Sequence, residues 1–485
     1  MVFTLGALRY SRARLAASLV IVVVGAVAGC RDQPTRATDR SAAKAHAVTS
    51  PKRDAAPAKP GPAKKPKAQA SPKPAPPRAK GCPAPLRKSL ASRATWTKRD
   101  RRTPIVDGEH NLQRFFRAWT QLVIKPDPGQ NKLRVAIYGD SNTQGDWAAS
   151  FLRKLLGKQI GIGGHGFVGL GKPNPWYEHR AIRTTPNKQW RTFSVSPHSG
   201  KTSAPLGHSG LVSVGKNPGA SVAIRPAMGA ESPVVDNERF SRMEVHYLCH
   251  PQGGSFRVTI DNKRVRDVDT KCATPKYSTV TLRTKLDRHR VKLVTQTSRV
   301  VVFGAVFEND EPGIVIDGIG INTGNYKWLL RADEAMFKAG LQSRKYDLVV
   351  LATGISMWSE LDHFGLAQRL IGRIRSALGN DVSILVMPPG PWGDRKGDKA
   401  FLRSHILRVV KEKREVAARN RAAFWDYFAA IGGKRALSKL IENKQIYRDL
   451  LHFPPITHQR MMRRLSVALN VEYAHHLKRA GYDCQ

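Results

Sequence analysis

Acidic side chains are scarce in this 485-residue chain: 37 Asp and Glu stand against 81 Lys and Arg, for a formal net charge of +44. Such an excess predicts adhesion to polyanions, whether nucleic acid, anionic lipid headgroups or acidic wall polymers. Nucleic acid is the weaker expectation, because zinc-finger spacing, a helix-turn-helix and an aromatic RNA-binding signature are all missing. Cysteine is nearly absent, with five in the whole chain. Metal-ligand spacing is missing too: Asp362 and His363 have no partner at a suitable distance along the chain, and no metal site is expected. The Gly-rich run 161–176, GIGGHGFVGLGKPNPW, holds no Gly-Lys-Ser/Thr and is followed by no helical pattern. That excludes a phosphate loop or dinucleotide turn and leaves an irregular loop that could shape a cleft.

The N-terminal apolar run, Leu15 to Val27, is too short and wrongly flanked for a stable membrane span. With Arg9, Arg12 and Arg14 before it, residues 1–30 read as an export signal. It closes on Val27-Ala28-Gly29-Cys30, which resembles a bacterial lipobox with Cys30 as the lipidated residue; an ordinary secretory signal is the alternative. Asp32 does not directly follow Cys30, so the expectation is an exported, lipid-anchored protein on the outer membrane, facing periplasm or cell surface. Residues 31–103 open with a Pro-, Ala- and Lys-rich tract carrying much of the excess charge. It has almost no large apolar residues to offset the entropy of ordering, and reads as a disordered cationic tether. Contact with anionic cell-wall polymers is one use for it; a solvated spacer is the plainer one.

A folded pattern begins near residue 104. HNLQRFFRAWTQL predicts an amphipathic helix with Phe115, Phe116, Trp119 and Leu122 on one side. Leu133 to Tyr138 is a short apolar run that predicts a buried parallel strand. It ends in Gly139-Asp140-Ser141-Asn142, and a helical pattern follows. That arrangement puts Ser141 at the carboxyl edge of a sheet, where open α/β sheets hold their ligands. Helix N–H groups point at the same spot and favour negative charge there. Taken alone, Asp140, Ser141 or Asn142 could equally be a helix cap.

From 182 to 310 short β-like runs are separated by Gly, Pro, Asn and Asp, which predicts an inserted antiparallel β-sandwich or jelly roll. Cys249 and Cys272 flank one hairpin and are expected to be bridged in an exported protein. Cys82 and Cys484 would then clamp the start of the folded region to the chain end. Four cysteines allow three pairings, and this choice rests on position. After the insert, from 311 to 485, strand–loop–helix order resumes, implying parallel strands with helices on both faces. AAFWDYFAAIGG reads as a final strand region, and Asp449 and His452 stand just before a terminal helix.

This motif order, with a GDS after the first strand, Gly-containing turns after the next two and Asp-x-x-His before the last helix, resembles the SGNH/GDSL hydrolase family over roughly 130–180 and 311–480. The insert is similar in layout to the carbohydrate-binding-like β-domain of peptidoglycan O-acetylesterases. The resemblance implies a flavodoxin-like three-layer α/β domain, split as 104–181 and 311–485 around the sandwich at 182–310. It implies Ser141 as nucleophile, His452 as general base and Asp449 as the group orienting the imidazole, with no cofactor. A serine hydroxyl needs such a base at neutral pH, and a nearby carboxylate fixes the base's tautomer. The expected oxyanion donors are the N–H groups of Ser141 and Gly324. Asn322, Thr323 or Gly320 could take the second place.

One departure stands out. The family's Gly-x-Asn, whose Asn side chain donates to the oxyanion, is Gly354-Ile355-Ser356 here. Ser356 could donate through a changed loop or a water, Asn325 or Asn142 could substitute, or the site could have decayed. His458 reads as a surface or packing residue, and His165 could touch substrate. Trp176, Trp190, Trp358 and Trp392 could stack on a sugar or simply pack. The expected activity is deacetylation of an acylated cell-envelope polysaccharide such as peptidoglycan. The alternatives are an acyltransferase on the same triad and a catalytically weakened wall-binding lipoprotein.

Overall fold

The computed structural model describes residues 81–90, 96–98, 100–229, 239–357 and 362–484. The export signal, the lipobox at Cys30, the Pro-rich tract up to residue 80 and Trp358 lie outside the described residues. Among the described residues no helix is long and apolar enough to cross a membrane.

The central sheet has the strand order Ile105–Val106, Ala423–Trp425, Ser383–Val386, Leu348–Ala352, Lys132–Gly139, Gly313–Gly320. The last five run parallel, and the first pairs antiparallel at the edge. Period-two alternation sends their apolar side chains to two separate cores. Leu133, Val135 and Ile137 join Phe115, Trp119, Leu152 and Leu465 on one side. Ala136 and Tyr138 join Phe337, Leu370 and Val409 on the other. Apolar burial on both faces explains why these strands read as unbroken hydrophobic runs. The fold is a three-layer α/β domain with an added β-sandwich. Helix Gln113–Ile124 buries Phe115, Phe116, Trp119 and Leu122, as their spacing predicts. Trp119 stacks on Tyr473 of the final helix Pro455–Arg479, with ring centroids 4.5 Å apart. The expected final strand region is shorter than its sequence suggests. Ala423–Trp425 is the strand, and Asp426 then caps a helix, Tyr427–Ile431, by accepting from the N–H of Ala429 at 2.8 Å.

The sandwich is two antiparallel sheets. One runs Lys263–Asp269, Ser255–Ile260, Val291–Thr295, Ser221–Pro226, Ile182–Pro186; the other runs Lys276–Asp287, Phe240–Cys249, Val300–Glu308, Leu211–Gly215, Trp190–Ser194. Phe256, Val258, Leu293, Val245 and Val302 fill the space between them. The second sheet also takes in Gly164–Val168, paired with Val300–Glu308. The sandwich therefore reaches ahead of residue 182 into the Gly-rich run, which is not wholly irregular. Its glycines masked the strand, because Gly has low β-propensity and carries no side-chain pattern. Disulfides join Cys249 to Cys272 and Cys82 to Cys484, the pairing expected from position.

A buried ion network joins the two parts. Arg344, at the end of helix Glu334–Arg344, donates Nε to Asp317 Oδ2 at 2.8 Å and Nη1 to Glu308 Oε1 at 3.1 Å. Asp317 lies on the Gly313–Gly320 strand of the central sheet, and Glu308 ends a sandwich strand. Tyr346 Oη and the N–H of Phe167 also donate to Asp317, at 2.6 and 2.9 Å. Arg134 and Arg242 donate to Glu308. Gly166, with φ +82°, gives the Asp317 carboxylate its room: a Cβ there would stand 2.1 Å from Oδ1. Burial pushes the Glu308 carboxyl up, but Arg344 and Arg134 outweigh it and hold it at about 2.

Because Glu308 sits below its ordinary value of 4.5, its pairing stabilises the fold above that pH and is lost as pH falls toward about 2. Arg344→Met leaves two buried carboxylates short of a partner and should cost about 3–5 kcal/mol in urea unfolding at pH 7. The deficit should shrink as pH falls below 4.5. A variant as stable as the parent at pH 7 would show that the network does not couple the two parts.

Candidate active site

Ser141 follows the Lys132–Gly139 strand, at the carboxyl edge of the central sheet. The chain passes from that strand to its neighbour Gly313–Gly320 and then across to Leu348–Ala352 on the other side, so the strand is the topological switch point where ligand crevices form. The turn is held from inside. Asp140 is 3% exposed, and its carboxylate accepts the N–H of Asn142 at 3.1 Å and of Ile355 at 3.3 Å. Burial raises its pKa against those bonds.

His452 reaches the turn from just ahead of helix Pro455–Arg479. Its Nε2 is 2.8 Å from Ser141 Oγ, and its Nδ1 is 2.7 Å from Asp449 Oδ2. The other oxygen of Asp449 accepts the N–H groups of Leu451 and His452, both at 3.0 Å. Burial pushes the Asp449 carboxyl up, but the imidazole and those N–H groups win and leave it below its ordinary value. A carboxylate kept ionised at Nδ1 favours the tautomer with its proton there, which leaves Nε2 free to accept from the serine. The structure thus brings together three side chains 308 and 311 positions apart along the chain.

Asn142 was considered above as a substitute oxyanion donor, but its carboxamide is engaged elsewhere. It donates Nδ2 to Leu451 O at 3.3 Å and accepts the N–H of Phe453 at 3.2 Å. It is a latch that spans His452 from both sides and ties that segment to the serine turn. Gly324 is corrected as well. Its N–H is spent on Ile321 O at 2.8 Å, closing a tight turn. Ser356 donates its hydroxyl to Thr323 O at 3.0 Å, so that hydroxyl braces the turn instead of standing free for an oxyanion. Asn325 is buried and caps the helix Tyr326–Leu329 through the N–H of Trp328. The N–H of Ser141 has no acceptor among the described residues.

Ser141, His452 and Asp449 line a cleft of about 510 Å³ together with Trp147, Trp176, Glu178, Arg180, Asn322 and Tyr447. Trp176 is 69% exposed and Tyr447 51%. Arg180 covers the ring of Trp147 at 4.3 Å and pairs with Glu178. The other aromatics pack. Trp190 is buried and donates to Leu170 O at 2.7 Å, and Trp392 stands edge-on to His405. His165 is buried within the Gly164–Val168 strand, away from the cleft lining. His458 is a buried packing residue at the cleft wall, brought down to about 4 by burial. Asp362 caps helix His363–Leu378, and His363 pairs with Glu412. Among the described residues no cluster of three His, Cys, Asp or Glu could hold a metal ion. The residue-by-residue reading missed Tyr447, which no motif marks, and the latch role of Asn142, which needs the distant segment at 451–453 to be visible.

The fold overlaps that of a peptidoglycan O-acetylesterase at a TM-score of 0.64, with 18% identity, over 76% of this chain and 99% of that one. That shared three-layer domain with its sandwich defines the class of fold. A family two carbohydrate esterase from Clostridium thermocellum aligns over 60% of this chain and 99% of its own at 13% identity, but at a TM-score of 0.24, too low to carry weight. The same holds for the salicylyl-acyltransferase SsfX3, at 12% identity over 61% of this chain and 98% of that one, with a TM-score of 0.26. No protein-family model matches the chain, and no curated protein matches it.

If Asn142 is the latch, Asn142→Ala should free the Phe453 amide. The lost bond is worth about 1 kcal/mol, so hydrogen exchange at Phe453 should quicken by about fivefold. Unchanged protection there would refute the latch.

Proposed function

We propose that this chain is a serine esterase that removes O-acetyl groups from a cell-envelope polysaccharide such as peptidoglycan. The hydrogen-bonded chain from Ser141 through His452 to Asp449 carries the reading. Ser141 Oγ attacks the ester carbonyl carbon while its proton passes to His452 Nε2 and the carbonyl π pair moves onto oxygen. The ionised Asp449 stabilises the imidazolium that forms. Collapse breaks the bond to the sugar oxygen, which leaves with the proton from His452, and an acyl-serine remains. Water then attacks the acyl-serine, gives its proton to the same nitrogen, and acetate departs as Ser141 Oγ regains that proton.

The glycan side of the proposal has two supports. Trp176 and Tyr447 expose flat apolar faces at the cleft, the kind of surface on which a sugar ring stacks. The overlapping solved structure is that of a peptidoglycan O-acetylesterase. The lipobox at Cys30 and the cationic tether support export and anchoring to a membrane beside an anionic wall. One observation favours a second reading, a wall-binding lipoprotein with a weakened site. The side chain standing where the family's donor Asn would be is Ser356, and its hydroxyl is spent on Thr323 O.

Hydrolysis of p-nitrophenyl acetate and labelling by a fluorophosphonate probe separate the two readings. The esterase reading expects both in the parent and neither in Ser141→Ala. Asp449→Asn should lower kcat about 10⁴-fold by loss of the tautomer. On O-acetylated glycan, Trp176→Ala should raise KM severalfold while leaving the small ester unaffected. A parent that is silent to both substrate and probe would leave the binding reading in its place.

A further inference from the structure

An oxyanion site in this fold needs a donor beyond the N–H of Ser141, and four of the groups considered above are otherwise engaged. Gly324 N–H closes its own turn, Ser356 Oγ donates to Thr323 O, Asn142 latches the His452 segment, and Asn325 caps a helix. Two other carboxamides line the cleft: Gln144, whose oxygen already accepts from Asn174 Nδ2 at 3.2 Å, and Asn322. Asn322 is half-buried, lines the same cleft as Ser141 and His452, and its side chain has no hydrogen-bond partner among the described residues.

Its surroundings are built to hold it there. Ile321 N–H donates to Gly139 O at 3.1 Å, which pins the start of the turn to the residue two before Ser141. A Cβ on Gly324 would stand 2.5 Å from Gly139 O, so the end of the turn lies on the same backbone. Between them Thr323 takes the left-handed region at φ +57°, a conformation with a cost for a β-branched residue. Two hydroxyls brace the turn from outside the cleft chemistry. Thr323 Oγ1 donates to Asn322 O at 2.7 Å, and Ser356 Oγ donates to Thr323 O at 3.0 Å. Both carbonyls of the turn are thereby satisfied. The Asn322 carboxamide is left without a partner among the described residues, in the cleft that Ser141 also lines.

We infer that Asn322 supplies the side-chain donor to the oxyanion, and that Ser356 has become the brace that holds the Asn322 turn in place. This rests on the esterase reading above. As the carbonyl π pair moves onto oxygen, the Asn322 amide N–H and the Ser141 N–H donate to the developing charge; neither proton is transferred. Asn322 is thus a catalytic residue, and Ser356 is a positioning residue that acts through Thr323.

The test uses the full chain with p-nitrophenyl acetate and a boronic acid, whose tetrahedral adduct on serine mimics the intermediate. Asn322→Ala should lower kcat by about 100–1000-fold with little change in KM, and weaken boronate inhibition to a similar degree. Asn322→Asp keeps the shape but replaces the donor with an acceptor, and should lose at least as much at an unchanged melting temperature. Ser356→Ala should cost less than either, while Ser356→Thr, which keeps the hydroxyl, should restore most of that loss. If both Asn322 variants keep more than a fifth of parental kcat while Ser141→Ala is dead, the assignment to Asn322 is wrong and the esterase reading stands. If the parent itself turns over nothing, the esterase reading fails and takes this assignment with it.

Discussion

Arg344 holds its guanidinium between two buried carboxylates, one from each half of the fold: Asp317 from the central sheet and Glu308 from the sandwich. An ion taken from water into a protein interior costs several kcal/mol unless it is paired and hydrogen-bonded. These groups satisfy that condition only with the sandwich seated on the sheet, because Phe167 and Arg242 come from the sandwich side and Arg134 and Tyr346 from the other. Apolar contact alone would tolerate sliding. Met336, Val212, Val301 and Phe303 meet at the same joint, and such side chains can repack. The charged network admits one docking and so fixes the Gly313–Gly320 strand at a set place.

That placement passes directly to the chemistry. The Gly313–Gly320 strand lies in register with Lys132–Gly139, residue by residue, up to Gly320 opposite Gly139. Both strands therefore end at one level, and the turn bearing Asn322 lies against the turn bearing Ser141. The same parallel sheet brings Leu348–Ala352 level with them, so the Ile355 N–H reaches Asp140. Beneath this floor Lys413 is buried, donating to Tyr326 Oη at 2.8 Å and Thr353 Oγ1 at 3.0 Å. Burial brings its pKa down to about 7, against the pull of the Asp140 carboxylate. A polar floor of this kind is costly in low dielectric but, once satisfied, leaves the backbone above it little freedom.

Much of the fold was legible because the signals were local. The apolar run ending in Gly139-Asp140-Ser141-Asn142, the spacing of Phe115, Phe116, Trp119 and Leu122, and the resumption of strand–helix order after residue 310 each report burial through periodicity. The Gly164–Val168 strand escaped because its edge pairing is held by backbone hydrogen bonds, which leave no side-chain pattern. The helix Tyr427–Ile431 escaped because its aromatic and small apolar residues suit either a strand or a buried helix. At the site, Ser141, His452 and Asp449 could be named from motif order. Which donors were spent could not, since the partners of Gly324, Ser356 and Asn142 depend on how three separate loops meet.

By itself the sequence determined the alternation of strands and helices and the run of short antiparallel strands between its two parts, because those follow from periodicity and turn chemistry; the choice of Ser141, His452 and Asp449 came from the resemblance of their motifs to the SGNH/GDSL family. Tertiary structure alone decided which polar groups remain free. Every loop N–H, hydroxyl and carboxamide is a possible donor in the sequence. Folding assigns each one a partner or leaves it without one, and that accounting depends on distances between segments hundreds of residues apart. Asn322 and Gly324 stand two positions apart in one turn. The first faces the cleft with its amide unused, while the second has spent its N–H on the turn that holds both.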